Sequence, residues 1–189
     1  MATSLFIGGA RSGKSSYAER QALALLKQRV SQGVTAQLHY VATAIAFDPE
    51  MTHRIEQHQR RRGPEWCNHE SPLMLAQTLA QFQPQDIVLV DCLTLWLNNV
   101  IYNDGETASK AMIEQQVQAL VSALHDSPAT ILCVSNEVGL GIIPMGEISR
   151  LYVDYAGWMN QAIAAMAEQV TFMAAGLPML LKDVVKRRC

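Results

Sequence analysis

Charge is scarce in this chain and nearly cancels. Charged residues make up 17% of its 189 positions, leaving a formal net charge of −2 and a pI near 6.2. Proteins that hold nucleic acid through many phosphates are basic over the binding domain, so this balance excludes such a partner. Cysteines are few: Cys67, Cys92, Cys133 and Cys189. None form a CxxC pair, so neither a zinc signature nor a disulfide framework is present. Cys92 and Cys133 sit inside apolar runs and are expected to be buried thiols. No apolar stretch has the length and purity of a transmembrane helix. The opening "MATSLFIGGARSGKS" lacks the basic and long apolar regions of a signal peptide, so the default expectation is a cytoplasmic enzyme. No repeat, low-complexity tract or Pro/Gly/Ser-rich linker divides the chain, and one domain over 1–189 is expected. The guanine-reading N-K-x-D motif of regulatory GTPases is also missing: Asn98, Asn99, Asn103 and Asn136 are not followed by Lys-x-Asp.

What is present is apolar and periodic. Hydrophobic residues reach 49%, enough for a real core in a chain of this size. Strands are expected at 4–9, at 37–44, from 86 within "DIVLVDCLTLWL", at 130–139 running into a polar loop, and at 170–181. Helices are expected at 14–29, 48–61, 71–82, 107–126 and 147–169. Tyr17, Leu23, Leu26 and Val30 lie near helical spacing in the first. Asp48 and Pro49 suit the start of the second, and Ser71 and Pro72 that of the third. Near-continuous apolar strands alternating with helices indicate an α/β fold: a mainly parallel sheet with helices on both faces.

"GGARSGKS", residues 8–15, fits G-x-x-x-x-G-K-[ST] between a strand and a helix. Gly8, Gly9 and Gly13 let backbone N–H groups along Ala10, Arg11 and Ser12 turn toward a polyphosphate. The helix N-terminus adds partial positive charge. Lys14 can reach the β/γ-phosphates and the Ser15 hydroxyl can ligate Mg²⁺. Asp91, at the end of the apolar "DIVLVD", fits the carboxylate that holds such a Mg²⁺, partly through water.

"RIEQHQRRRGPEW" (54–66) concentrates cations against this neutral background. On a helix Arg54, His58 and Arg61 or Arg62 share a face. Nearby cations disfavour imidazolium, and a neutral imidazole near a triphosphate is a nucleophile at phosphorus. The residues alone leave His58 open between that role and a half-buried structural one. "SNEVGLGIIP" (135–144) follows a buried strand, where α/β sheets place ligand crevices. Glu137 is there either a site residue or a solvated acid. In "DYAGWMNQAIA" (154–164) the small residues fit close helix packing.

Taken together, these stretches resemble the bifunctional adenosylcobinamide kinase/adenosylcobinamide-phosphate guanylyltransferase family of cobalamin biosynthesis. The resemblance rests on "GGARSGKS", "YVATA" (40–44), "DPEM…RIEQH" (48–58), "RRGPEW" (61–66), "DCLTLWLNN" (91–99), "SNEVGLGIIP", "R…DYAGWMNQAIA" (150–164) and "AAGLP" (174–178), in the family's order. It implies a single RecA-like P-loop NTPase domain and two reactions. ATP or GTP phosphorylates adenosylcobinamide. A histidine then attacks the α-phosphate of GTP, and the resulting GMP–histidine passes GMP to adenosylcobinamide phosphate, giving adenosylcobinamide-GDP. The family's RIxxH histidine is here His58. Its nucleotide contacts correspond to Gly8–Ser15, to Ala42, Thr43 and Ala44, to Gln59, Arg60, Arg61 and Arg62, to Glu70 and to Asp91. A homotrimer is implied as well. Two positions depart from the family pattern: the proline of R-P-x-x-W stands one place later in "RGPEW", and Asn68 replaces a common threonine. The alternatives are a P-loop kinase of another small alcohol, with His58 structural, and a nucleotide-binding regulatory module.

Overall fold

Alternation of apolar residues along six parallel strands sorts the core onto two faces of one sheet. The computed structural model describes residues 2–45, 63–103 and 106–184. The strands of the main sheet are β1 (Ala2–Gly8), β2 (Gln37–Ala42), β3 (Trp66–Glu70), β4 (Asp86–Asp91), β7 (Thr130–Asn136), β8 (Gln169–Ala174) and β9 (Leu177–Asp183). Their order is β3-β2-β4-β7-β1-β8-β9. All neighbours are parallel except β8 and β9, which form an antiparallel edge hairpin. A two-residue pair, β5 (Tyr102–Asn103) and β6 (Glu106–Thr107), stands apart.

Helix α1 (Lys14–Ser31) covers one face, where Ala18 and Ala22 pack on Phe6, Leu38, Tyr40, Ile87, Leu89, Leu132 and Val134. The other face takes α2 (Leu75–Leu79), α3 (Leu93–Ile101), α4 (Lys110–Asp126) and α5 (Glu147–Met166). There Trp96, Leu120 and Met159 join Leu5, Val88, Val90 and Ile131. Successive side chains of a strand point to opposite faces, which is why Leu5 and Phe6, or Val88 and Leu89, fall in different clusters.

Several sequence expectations are corrected. Trp66–Glu70 is a strand, not anticipated because its five residues include Asn, His and Glu; pairing with β2 supplies what local propensity does not. The helix expected over 71–82 shrinks to Leu75–Leu79. Ser71 does not cap it: its amide donates to Ala42 O and its hydroxyl bonds Thr78. The stretch 170–181 is two strands, because Ala175 and Gly176, with φ of 51° and 81°, close a tight hairpin turn. Val30, at helical spacing with Tyr17, Leu23 and Leu26, is 62% exposed. The expected helix over 48–61 lies outside the described residues.

Candidate functional site

Glycine is required where the loop after β1 turns. A Cβ on Gly8 would collide with the carbonyl oxygen of Met173 on β8. Gly13, at φ 91°, caps α1 in the left-handed region, where L side chains are strained. The loop is braced by the β8–β9 turn, since Gly176 N donates to Ser12 O at 3.0 Å. This gives "AAGLP" a structural reason: its turn supports the phosphate loop. Lys14 is buried, and its ammonium donates to Gly9 O at 2.9 Å. Desolvation lowers its pKa, opposed by Cys92 and by the negative charge of Asp91. Ser12 Oγ is buried with no hydrogen-bond partner among the described residues. An orphan hydroxyl in the turn just before the N-terminus of α1 suits a phosphate oxygen.

Asp91 is delivered to the same side. Gly8 has the parity of Phe6, Ala42 that of Tyr40, Asp91 that of Leu89 and Asn136 that of Val134. All four therefore lie on the α1 face at the carboxyl ends of their strands, where open α/β sheets bind ligands. Strand register places Ala42 beside both Asp91 and Glu70, so these three share one row. Gly8 and Asn136 are likewise register partners. Tyr40 donates to Asp91 Oδ2 at 3.2 Å. The carboxylate is half-buried. Ser15, half-buried in the first turn of α1, supplies a hydroxyl beside Lys14. Carboxylate and hydroxyl oxygens are hard donors of the kind Mg²⁺ takes, so the residues fit that ion.

Thr43 is fully buried, and its hydroxyl bonds the backbone of Cys92. Asn99 Nδ2 in turn donates to Thr43 O at 2.8 Å and to Pro72 O at 3.1 Å. The side chain of Thr43 thus holds the turn after Asp91. Ala44 is half-buried in the loop beyond it, and Glu70 is exposed at the end of β3. His58, Gln59, Arg60, Arg61 and Arg62 lie outside the described residues.

Sequence reasoning gave no site role to Tyr40, Cys92, Thr94, Asn136 or Asn160. Thr94 Oγ1 accepts from Asn136 Nδ2 at 2.7 Å. Asn160 accepts from Ser135 Oγ at 2.6 Å and donates to Asn136 O at 3.1 Å. The one available signal was position: Asn136 ends a buried strand, as Asp91 does. Glu137 bonds locally, accepting from Gly139 N, while its own amide donates to Gly8 O. Cys92 and Cys133 are buried as expected, and burial pushes their thiols up to about 11 and about 12.

Comparison with known proteins gives a consistent result. The family model described as cobinamide kinase / cobinamide phosphate guanyltransferase matches residues 4–181. The bifunctional adenosylcobalamin biosynthesis protein CobP of Pseudomonas aeruginosa is 47% identical over 179 residues, covering 94% of this chain and 96% of that protein. The bifunctional adenosylcobalamin biosynthesis proteins CobU of Salmonella typhimurium and Escherichia coli are 35% and 34% identical, each covering 94% of this chain and 98% of the relative. Among solved structures, a KaiC-like protein from Pyrococcus horikoshii aligns at a TM-score of 0.49 and 12% identity, covering 90% of this chain and 70% of that one.

Proposed function

The chain belongs to the cobinamide kinase / cobinamide phosphate guanyltransferase family, and from that premise we propose that one nucleotide cradle serves both of its reactions. The protein is a bifunctional enzyme of adenosylcobalamin biosynthesis, a kinase and a guanylyltransferase. The observation that carries the single-cradle reading is the shared location of the loop Gly8–Ser15, with its Lys14, and Asp91, on one face and at the carboxyl ends of β1 and β4, which flank β7 in the sheet.

In the kinase reaction the cradle holds the triphosphate of ATP or GTP, and Lys14 neutralises its β/γ end. The acceptor is the hydroxyl of adenosylcobinamide. In the guanylyl reaction His58 is the nucleophile at the α-phosphorus of GTP, pyrophosphate leaves, and adenosylcobinamide phosphate takes the GMP. Gln59 and Arg60–Arg62 belong to the same segment, and the arginines counter charge that develops on the departing pyrophosphate. Ala42, Ala44 and Glu70 flank the nucleotide. Ser15 and Asp91 would hold Mg²⁺, which when bound draws negative charge from the phosphoryl oxygens. The working protein is a single-domain homo-oligomer, a trimer by family resemblance, in the cytoplasm. No helix among the described residues is long and apolar enough to cross a membrane.

Incubation with α-³²P-GTP and Mg²⁺, followed by denaturing electrophoresis, tests this reading. The expected result is protein-bound label that survives alkali, is lost in acid, and is absent from His58→Ala. Phosphate transfer to adenosylcobinamide without covalent label would remove the guanylyl half of the proposal.

A further inference from the structure

Asn136 occupies the gap between the two halves of the cradle. Its strand, β7, lies between β1, which feeds the phosphate loop, and β4, which ends in Asp91. Asn136 pairs in register with Gly8, while Asp91 pairs with Val134, two residues earlier on β7. Asn136 therefore lies two residues beyond the level of Asp91, next to Gly8 where the loop begins, with strand parity placing it on the α1 face.

The carboxamide is not free to turn. Its nitrogen donates to Thr94 Oγ1 at 2.7 Å and faces Cys92 Sγ at 3.9 Å. The backbone amide of Asn136 donates to the same Thr94 oxygen at 3.3 Å, so that hydroxyl accepts twice. Its proton is then available to Cys92 Sγ, 3.3 Å away. Behind the strand, the Asn160–Ser135 pair holds the Asn136 carbonyl. With both N–H groups directed at Thr94 and Cys92, the remaining polar atom is Oδ1, which has no hydrogen-bond partner among the described residues. An oxygen that can only accept repels a phosphate oxygen and attracts a hydroxyl.

We propose that Asn136 is an acceptor-contact residue of the kinase step, with Oδ1 receiving the hydrogen bond of the attacking adenosylcobinamide hydroxyl and Thr94 fixing the orientation of the amide. The inference rests on the kinase reading above. In that step the hydroxyl oxygen forms a bond to the γ-phosphorus, and the bond from that phosphorus to the β,γ-bridging oxygen breaks. Its electron pair leaves with the nucleoside diphosphate. The hydroxyl proton passes to solvent, because an amide orients a proton without keeping it. The role of Oδ1 is to aim an oxygen lone pair along the line of attack. In the guanylyl reaction the nucleophile is an imidazole, so the same contact has no part in forming the covalent intermediate.

The test compares two assays on Asn136→Ala: transfer from γ-³²P-ATP to adenosylcobinamide, and covalent labelling by α-³²P-GTP. The expected result is a kinase kcat lower by roughly 100-fold, a loss at least tenfold greater than any loss of labelling rate, with the nucleotide KM little moved. Thr94→Val should lower kinase kcat in the same selective way, and Thr94→Ser should restore it. That pair decides the matter if Asn136→Ala folds poorly. Kinase kcat within twofold of wild type would overturn the proposal. Equal loss in both assays would do so too, since it would mean a structural role. A raised nucleotide KM at unchanged kcat would mean that the amide faces phosphate instead. If wild-type enzyme transfers no phosphate to adenosylcobinamide, the kinase reading itself falls; if wild type is active and Asn136→Ala is too, only the assignment of Asn136 falls.

Discussion

The hydroxyl of Thr43 closes a two-way clasp on the backbone of Cys92, donating to its carbonyl at 2.7 Å and accepting from its amide at 2.9 Å. Both partners are buried and belong to the residue after Asp91, so the clasp sets where that carboxylate leaves its strand. Thr43→Val keeps the shape and removes both bonds. Leaving buried backbone groups unpaired costs about 1–3 kcal/mol. Chemical denaturation should show that loss, and Thr43→Ser should recover most of it. The same Val variant should need more Mg²⁺ for half-maximal activity.

Lys14→Ala separates function from stability. The ammonium is buried and its pKa is lowered by desolvation, so the fold gains little from it. The nucleotide-free variant should melt at or above the wild-type temperature. On the proposal that one cradle serves both reactions, phosphoryl transfer and covalent guanylylation should both drop sharply. Guanylylation at wild-type rate would refute the single-site reading.

A histidine pair away from the cradle should make stability pH-dependent. His39 Nδ1 and His69 Nε2 are 2.9 Å apart, and His39 Nε2 lies 3.4 Å from Asp86 Oδ1. Burial and then the neighbouring His39 hold His69 below its usual 6.5, against the pull of Asp86. The unfolded chain therefore binds this proton more readily than the folded one. Stability attached to His69 is complete above the unfolded value and is lost as pH falls from there toward the folded value. Melting temperatures taken from about pH 7.5 down to about pH 5.5 should fall more steeply for wild type than for His69→Gln.

Thiol reactivity follows burial. With pKa values pushed to about 11 and about 12, Cys92 and Cys133 hold almost no thiolate near neutral pH. Peptide mapping after maleimide treatment of the native enzyme should find both unmodified. Both should be labelled once the protein is unfolded in denaturant.

The phosphate loop was legible in the sequence because its chemistry is local. Glycines, a lysine and a hydroxyl at set spacing act within eight consecutive residues, and the strand before and helix after them follow from their own periodicity. Asp91 was legible for a related reason, standing at the end of a long apolar run. Trp66–Glu70 was not, because a short mixed-polarity edge strand owes its conformation to hydrogen bonds from β2. Val30 misled because helical spacing does not tell where the sheet beneath a helix ends.

By itself, then, the sequence determined the α/β class, the glycine-rich motif between its strand and helix and, through its spread of family motifs, the pair of reactions. Only the tertiary structure decided which distant residues meet there. Ala42 joins Glu70 and Asp91 in one row, and Asn136 comes to lie beside Gly8, through register between strands far apart in the chain. Register is a long-range choice, made when the apolar faces of the strands are buried together, and no local pattern records which strand becomes the neighbour of which.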